Sequence, residues 1–156
     1  MSVKIFHRKN SPVRIGAVRR CMEFLLRRSG RGRAELEISL VGNARIRALN
    51  RAYRHQDKAT DVLSFPLDVV PPPGGAPWHL GEVVIATEAA RRQAAQAGRP
   101  LTRQVLRLAV HGFVHLHGLD HERGGDEARK FHRLEENYLQ HLAKKGLMAW
   151  DGSLRL

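Results

Sequence analysis

The alternation of apolar and polar positions along the chain predicts short strands and amphipathic helices. Period-two alternation is typical of half-buried strands, and apolar residues recurring every three or four positions are typical of helices. The predicted strands are 3–8, 36–41, 62–67 and 82–86. The predicted helices begin at Ser11–Pro12, Asn43, Thr87, Thr102 and about Asp126. At the first four of these starts, the Ser, Asn and Thr side chains are predicted to cap the helices.

This order of elements predicts one α+β domain over residues 1–156, an α/β sandwich in which about five helices pack on a four-stranded mixed sheet. The short connection between the third and fourth strands predicts one antiparallel pair. Pro66 has no N–H for a neighbouring strand, so the third strand is expected at an edge. The helix after Thr102 is apolar over much of its circumference and is expected to be the central buried helix. The tail from about Gly146 is expected to be loose.

The chain is strongly basic, with 27 lysine and arginine residues against 15 acidic ones and a formal net charge of +12. A net charge of this size on 156 residues indicates which partners the protein binds and says little about its fold. It favours a polyanionic partner, nucleic acid first and an anionic membrane surface second. The alternative is that the arginines serve solubility alone and reflect a GC-rich coding background.

Cys21 is the only cysteine, so the chain cannot form an internal disulfide, which fits a reducing compartment. It lies among apolar residues at helical spacing and is predicted to be a core residue, not a reactive thiol. The sequence has no apolar run long enough for a membrane span, and its start does not resemble a signal peptide. These features predict a cytoplasmic protein that does not enter a membrane.

The stretch HGFVHLHGLDH, residues 111–121, predicts a metal centre. His111 and His115 are four positions apart on a predicted helix, which places their side chains on one face about one turn apart. Gly118 tolerates the left-handed conformation that ends a helix and reverses the chain. The turn is expected to bring His121 over the pair, so that three imidazoles hold one ion and leave a fourth position open. The alternative is that these are ordinary helix and loop histidines.

The spacing H-x3-H-x2-G-x2-H is the skeleton of a metzincin-like site, with one difference. Zincins carry a glutamate general base directly after the first histidine, and this chain has Gly112 there. The same metal scaffold is therefore expected to perform different chemistry. His117 is predicted to point away from the shared face and not to be a ligand. Asp120 has two open interpretations, an acceptor that orients a ligand imidazole or a cap of the turn.

Three segments of the chain together resemble one protein family. The first is His111-Gly112-x-x-His115-Leu116-x-Gly118-x-Asp120-His121. The second combines Leu49-Asn50 and Tyr53-Arg54 with the run TDVLSFP at 60–66, and the third is Gly81-Glu82-Val83. In these motifs the chain resembles the YbeY family of bacterial rRNA maturation factors, described as single-strand-specific endoribonucleases. The resemblance covers nearly the whole chain and is strongest over residues 49–121.

The resemblance implies a zinc-dependent endoribonuclease with an α/β sandwich fold and one Zn2+ per chain, held by His111, His115 and His121. It implies a role in 16S rRNA 3′-end maturation and 70S ribosome quality control. The implied partners are ribosomal RNA, the small ribosomal subunit and ribosome-associated proteins. Arg54 matches a functional arginine of the family and is the implied catalytic residue. Glu82 stands where aspartate is more usual, and no role is assigned to it.

Arg54 is expected to bind a phosphate and to stabilise the negative charge of the transition state, if the fold brings it to the histidines. The alternative for Arg54 is a solvated arginine at a helix end. Lys58 is predicted to contact the RNA backbone together with Arg51 and the basic loop 27–33. Such contacts provide affinity but no sequence choice. The candidate aromatic platforms for base stacking are Tyr53, Phe65 (also a candidate core residue) and Trp78.

Two other functions stay open on the sequence. One is a metal-dependent hydrolase of another bond, such as a peptide or amide, and the other is a non-catalytic ribosome assembly factor with a structural metal. Gly112 speaks against the peptidase, whereas the net charge fits the nuclease and the assembly factor alike. The sequence does not choose between a metal-activated water and the RNA 2′-hydroxyl as the attacking group. Three imidazoles would also bind nickel or copper, although availability favours zinc.

Overall fold

The computed structural model describes residues 2–68 and 70–148. The strands are β1 Val3–Phe6, β2 Ala34–Val41, β3 Val62–Pro66 and β4 Trp78–Ala86. The helices are α1 Ile15–Arg28, α2 Asn43–Arg54, α3 Thr87–Ala97, α4 Leu101–His115 and α5 Gly125–Lys144. Short 3-10 turns, Pro73–Gly75 and His121–Arg123, precede β4 and α5. Over the described residues, the predicted number and order of strands and helices are confirmed.

The four strands form one mixed sheet in the order β1-β2-β4-β3. β1 pairs with β2 and β2 with β4 in parallel, while β3 runs antiparallel to β4. The predicted antiparallel pair is confirmed, and β3 is an edge strand, as Pro66 indicates. Parallel neighbours require crossover connections, and α1, α2 and α3 lie in the segments that connect the strands or leave the sheet.

β4 begins at Trp78, four residues before its predicted start at Glu82. The alternation of apolar and polar residues is interrupted at Gly81. The register between β2 and β4 shifts beside the same residue. A side chain here would place its Cβ 2.4 Å from the carbonyl oxygen of Phe65 on β3. Glycine therefore permits the close approach of two strands, and it also hides the first half of β4 from a pattern based on alternation.

Helices cover both faces of the sheet. On one face α1 and α4 pack on the strands and α5 packs on α4, and their apolar side chains form the larger core. On the other face α2 buries Ile46 in a smaller cluster with β3 and β4. Ten of the fifteen residues of α4 are buried, which confirms it as the central helix. No described helix is both long enough and apolar enough to cross a membrane.

The predicted side-chain caps of the helices are wrong. The four residues concerned are Ser11, Asn43, Thr87 and Thr102, and no side-chain cap hydrogen bond is found at the starts of α1 to α4. The Thr102 hydroxyl instead accepts a hydrogen bond from the Arg14 N–H at 3.0 Å, just before α1. At the start of α2, Asn43 donates to the Glu88 carboxylate of α3 from its backbone N–H (3.3 Å) and its side-chain amide (3.0 Å). At the starts of α1 and α2, side chains from other helices therefore accept the N–H groups, while the Ser11 hydroxyl accepts a hydrogen bond from the Val13 N–H, at 3.3 Å, before α1 begins.

The first residues of the expected loose tail are packed against the core. The Leu147 N–H donates to the Leu142 carbonyl at 3.1 Å, and Met148 is 5% exposed. The Cys21 thiol donates to the Leu147 carbonyl at 3.3 Å, and burial raises the pKa of this thiol to about 12. Both observations agree with Cys21 as a core residue. The remainder of the predicted tail, 149–156, lies outside the described residues.

Candidate metal centre

His111, His115 and His121 converge in the structure, as their spacing predicts. The first two lie in the last turns of α4, and His121 opens the 3-10 turn that follows. The ring centroids are 5.0 to 5.1 Å apart. One ligand nitrogen from each ring lies within 4.8 Å of the other two. The arrangement offers three nitrogen ligands to a single cation.

A turn at Gly118 reverses the chain between these two elements. α4 ends at His115, three residues before the predicted stop, and the Gly118 N–H donates to the His115 carbonyl at 3.0 Å. The φ of Gly118 is +87°, in the left-handed region that glycine adopts without strain. This turn carries His121 back over the end of α4, by the means that the sequence indicates.

The side chain of Phe131, on α5, supports all three imidazoles. Phe131 is fully buried. Its ring centroid lies 4.9 Å from that of His111, 4.6 Å from that of His115 and 5.1 Å from that of His121. One aromatic ring in contact with three imidazoles restricts their orientations. The hydrophobic core therefore positions the rings independently of a bound cation.

The two helical histidines use their Nδ1 atoms within the protein. Nδ1 of His111 donates to Oε2 of Glu135 at 2.6 Å, and Nδ1 of His115 donates to the Leu119 carbonyl at 3.1 Å. Since neither acceptor has a proton to give, Nδ1 carries the proton in both rings and Nε2 keeps its lone pair for a cation. Burial lowers the pKa of His115, and the neighbouring His111 and His121 lower it further. The neutral imidazole that binds metals is thereby favoured.

Glu135 is a part of the site that the sequence pattern does not reveal. Its carboxylate also lies 3.4 Å from Nδ1 of His132, so that it links two imidazoles. Burial raises the pKa of Glu135, but the hydrogen bonds and charges of His111 and His132 outweigh burial and hold the pKa below its ordinary value. Glu135 stands 24 residues beyond His111. The only signal for it is its i,i+4 spacing from Phe131, which places both on one face of α5.

We expect Glu135→Gln to weaken metal binding by about 10- to 100-fold while the protein stays folded. The carboxylate fixes the His111 ring and raises its basicity, and outer partners of this kind typically have effects of that size. Competition with a chromophoric chelator measures the metal affinity. Glu136→Gln is the matched control, because Glu136 is exposed on the next position of α5. Equal affinities of the two variants would show that Glu135 does not orient His111.

Two further residues of the 111–121 segment have structural roles. Nε2 of His117 lies 2.8 Å from the Tyr138 hydroxyl, and burial lowers the pKa of His117 to about 4. It lies outside the three-histidine group, as predicted. The Asp120 carboxylate accepts a hydrogen bond from the Glu122 N–H at 2.9 Å. Of its two interpretations, the structure supports the cap of the 3-10 turn.

Gly112 faces the sheet and not the three histidines. A Cβ at this position would lie 2.5 and 2.9 Å from the two methyl carbons of Val83 and 3.0 Å from the hydroxyl oxygen of Ser64. The Ser64 hydroxyl also donates to the Gly112 carbonyl at 3.3 Å. The helix therefore lies so close to the sheet that a side chain at this position would have to displace Val83. The absence of the zincin glutamate follows from this packing.

The three histidines line one side of a cleft of about 450 Å³. The other side is formed by the end of α2, the following loop and β3, and it includes Arg54 and Lys58. The fold thus brings both predicted RNA-binding residues to the histidines. Nη2 of Arg54 donates to the Ser64 carbonyl at 3.4 Å, which occupies one of the five N–H groups of the guanidinium.

The remaining candidates for RNA contact lie elsewhere. Arg51 and the loop 27–33 do not line this cleft. Trp78 is 5% exposed and belongs to the core, which contradicts its predicted role as a stacking platform. Tyr53 is 67% exposed, and its ring stands edge-on to Phe65 with centroids 5.4 Å apart. Among the aromatic candidates, Tyr53 keeps the surface that stacking on a base requires.

A family model described as Endoribonuclease YbeY matches residues 8–143 of the sequence. The chain belongs to the YbeY family. A protein named Endoribonuclease YbeY from Aquifex aeolicus (strain VF5) is 43% identical over 136 residues, which cover 87% of this chain and 89% of that protein. A protein of the same name from Persephonella marina (strain DSM 14350 / EX-H1) is 37% identical over 125 residues, covering 80% and 81%.

Similarity to a solved structure extends over almost the whole fold. The solution structure of TM1509 from Thermotoga maritima matches with a TM-score of 0.66 at 22% identity. The match covers 97% of this chain and 95% of that one, so the two share a fold. The two main segments by which the chain resembles the YbeY family, 60–66 and 111–121, both contribute residues to the cleft. The third segment, Gly81-Glu82-Val83, lies within β4 and not at its start.

Proposed function

We propose that this protein is a metal-dependent endoribonuclease that cleaves single-stranded RNA and acts in rRNA processing. The observation that carries the proposal is the three-histidine group in a cleft shared with Arg54 and Lys58, in a member of the YbeY family. Three protein ligands leave a cation with a further position, which catalytic zinc centres use for water or substrate. The net charge of +12 favours association with RNA.

The proposed metal is zinc, one ion per chain, with His111, His115 and His121 as its ligands. Three imidazoles are a typical ligand set of catalytic zinc. The Nδ1 hydrogen bonds of the two helical histidines supply the outer partners that such ligands require, and they leave Nε2 free. When bound, the ion would supply Lewis-acid polarisation of a phosphoryl oxygen and a lower pKa for the attacking group.

Arg54 and Lys58 have proposed roles on the substrate. The Arg54 guanidinium is suited to bind two phosphate oxygens at once and to stabilise the charge that develops on them in the transition state. Lys58 would contact a neighbouring phosphate as a point charge, which adds affinity without sequence choice. Both side chains are exposed, so they can reach an RNA strand without rearrangement of the core.

The proposed physiological substrate is 16S rRNA at its 3′ end, with a role in 70S ribosome quality control. The proposed partners are the small ribosomal subunit and ribosome-associated proteins, in the cytoplasm. Family membership and the positive net charge support these assignments. A peptidase on the same metal scaffold is disfavoured, because the position of the zincin base is Gly112, where a glutamate side chain would clash with Val83.

The test is cleavage of a 5′-labelled single-stranded rRNA fragment by zinc-loaded protein, followed on denaturing gels. We expect EDTA treatment to stop cleavage and stoichiometric zinc to restore it, because the three histidines have no catalytic role without a cation. Unstructured peptides incubated in parallel are expected to stay intact. Cleavage at full rate in protein shown by mass spectrometry to be metal-free would contradict the proposal. Stoichiometric metal without RNA turnover would favour the assembly factor.

A further inference from the structure

Helix α4, which carries His111 and His115, supplies no carboxylate to accept the proton of the attacking hydroxyl. The position of the zincin base is Gly112, which faces Val83 on the sheet. His111 and His115 already use Nδ1 in hydrogen bonds to the protein and offer Nε2 to a cation. A phosphodiesterase with this arrangement needs a proton acceptor from another element, or it forgoes general-base catalysis.

Asp61 brings a carboxylate to the cleft from the start of β3. It lines the cleft together with the three histidines, and it also lines a cavity of about 230 Å³ that His111 and Glu135 share. Its backbone is fixed to β4, since its carbonyl accepts a hydrogen bond from the Ala86 N–H at 2.9 Å. Among the described residues, only His111, His115 and His121 lie close enough together to hold one cation, and Asp61 is not part of this group.

A chain of side-chain amides orients this carboxylate. Nε2 of Gln93, on α3, donates to Oδ2 of Asp61 at 2.9 Å. Nε2 of Gln104, on α4, donates to Oε1 of Gln93 at 2.7 Å, and Nη1 of Arg99 donates to Oε1 of Gln104 at 2.7 Å. Gln104 is 7% exposed, so this series of hydrogen-bonded side chains is anchored in the protein interior. Within the described residues, Oδ1 of Asp61 has no hydrogen-bond partner, while Oδ2 is held in place.

The other carboxylates near the histidines either accept hydrogen bonds from other groups or have no hydrogen bond that fixes their orientation. Asp120 caps the 3-10 turn, and Glu135 is bound to two imidazoles. Glu122 is exposed, and no described residue holds its carboxylate by a hydrogen bond. Asp61 therefore combines position in the cleft, a fixed orientation and a free oxygen atom.

We propose that Asp61 is the general base of the cleavage reaction, an assignment that rests on the proposed endoribonuclease function. Oδ1 of Asp61 takes the proton of the attacking hydroxyl, from water or a ribose 2′ position, as the oxygen–phosphorus bond forms. The bond from phosphorus to one bridging ester oxygen breaks, and that oxygen takes a proton from solvent water. Asp61 then returns its proton to solvent, so the carboxylate is regenerated. Gln93 acts as a positioning residue for this step.

The central test is Asp61→Asn in the full-length, zinc-loaded protein. The asparagine oxygen can still accept the hydrogen bond from Gln93, so the fold and the cleft are preserved while the base is lost. We expect kcat for single-stranded RNA to fall by at least about 100-fold, the typical lower value for loss of a general base. The KM, the zinc content and the RNA affinity of metal-depleted protein are expected to stay close to the wild-type values, because Asn and Asp side chains have nearly the same size and shape.

Asp57→Asn is the matched control. Asp57 is an exposed carboxylate four residues earlier, paired with Arg47 and outside the cleft. We expect its cleavage rate to equal that of the wild type. Gln93→Leu, which removes the amide that holds Oδ2, is expected to lower kcat less than Asp61→Asn does, at unchanged KM and zinc content.

The outcomes distinguish failure of the proposed endoribonuclease function from failure of the proposed role of Asp61. A wild type that binds zinc but cleaves no RNA overturns the proposed function itself. An active wild type with an equally active Asp61→Asn variant overturns only the role of Asp61. Loss of zinc from Asp61→Asn also overturns it, since the residue would then act through the metal site. If Asp61→Asn does not fold, a Gln93→Leu variant with wild-type kcat overturns the assignment, and one with reduced kcat at unchanged KM and zinc content supports it.

Discussion

His115→Ala is expected to lose its bound metal and to cleave single-stranded RNA at least about 10³-fold more slowly than the wild type. The substitution removes one of the three proposed nitrogen ligands and the ring contact with Phe131. A resident metal ion provides several kcal/mol of charge stabilisation in the transition state, and about 4 kcal/mol corresponds to this factor. Metal content by mass spectrometry and initial cleavage rates on the same preparation measure the two effects.

His79→Ala is the matched control for this substitution. The His79 side chain is 64% exposed on β4, where Nδ1 lies 3.1 Å from a Glu35 carboxylate oxygen, and it is not part of the metal group. We expect His79→Ala to keep full metal content and activity. If His115→Ala retains a stoichiometric ion, the three-histidine centre is wrong. If it loses the ion but cleaves RNA at the original rate, the cleavage does not come from the metal centre of this protein, and the proposed endoribonuclease function is wrong.

Gly112→Glu, which restores the zincin sequence, is expected to prevent stable folding and to create no peptidase. The added Cβ alone would lie within 3 Å of both methyl groups of Val83. Overpacking in a core costs about 1–3 kcal/mol even for small additions, and a buried carboxylate without a partner adds several more. Soluble expression and thermal unfolding followed by circular dichroism measure the effect.

Gly112→Ala separates the packing cost from the charge. In a helix interior, alanine is more favourable than glycine by about 1 kcal/mol. We expect the clash with Val83 to cost more than this gain in helix stability. A net loss of about 1–2 kcal/mol would lower the melting temperature by roughly 2–4 °C for each kcal/mol. Gly16→Ala on α1 is the control: its Cβ would meet only the end of the Arg20 side chain, at 3.5 Å. We expect this control to be neutral or stabilising.

A double variant tests the physical cause directly. Val83→Ala removes the methyl groups that the Gly112→Ala side chain would meet, so the combined loss of stability is expected to be smaller than the sum of the two single losses. Additive losses would mean that α4 does not press on β4 at this point. In that case the absence of the zincin glutamate would need another explanation.

Local sequence patterns predicted those features that depend on neighbours along the chain. The spacing of His111 and His115 lies within one helix, and Gly118 acts within one turn, so the convergence on His121 needed no tertiary information. The antiparallel pair of β3 with β4 and the edge position of β3 likewise followed from a short connection and a proline.

The same patterns were wrong where a distant group competes with a local one. Thr102 has the residue type of a helix cap, yet its hydroxyl binds the Arg14 N–H, 88 positions away. Trp78 has the residue type of a stacking platform, yet it is buried in the core. Asp120 had two open interpretations, and only the position of the Glu122 N–H decided for the cap.

By itself, the sequence determined the order of strands and helices and the three histidines of the candidate metal centre, because periodicity and turns act over a few residues. Only the tertiary structure decided what surrounds that centre. Glu135, Phe131 and Asp61 reach it from other elements, and Val83 excludes a side chain at Gly112. Such contacts join residues far apart in the chain, and they depend on distances between packed helices and strands that no local pattern encodes.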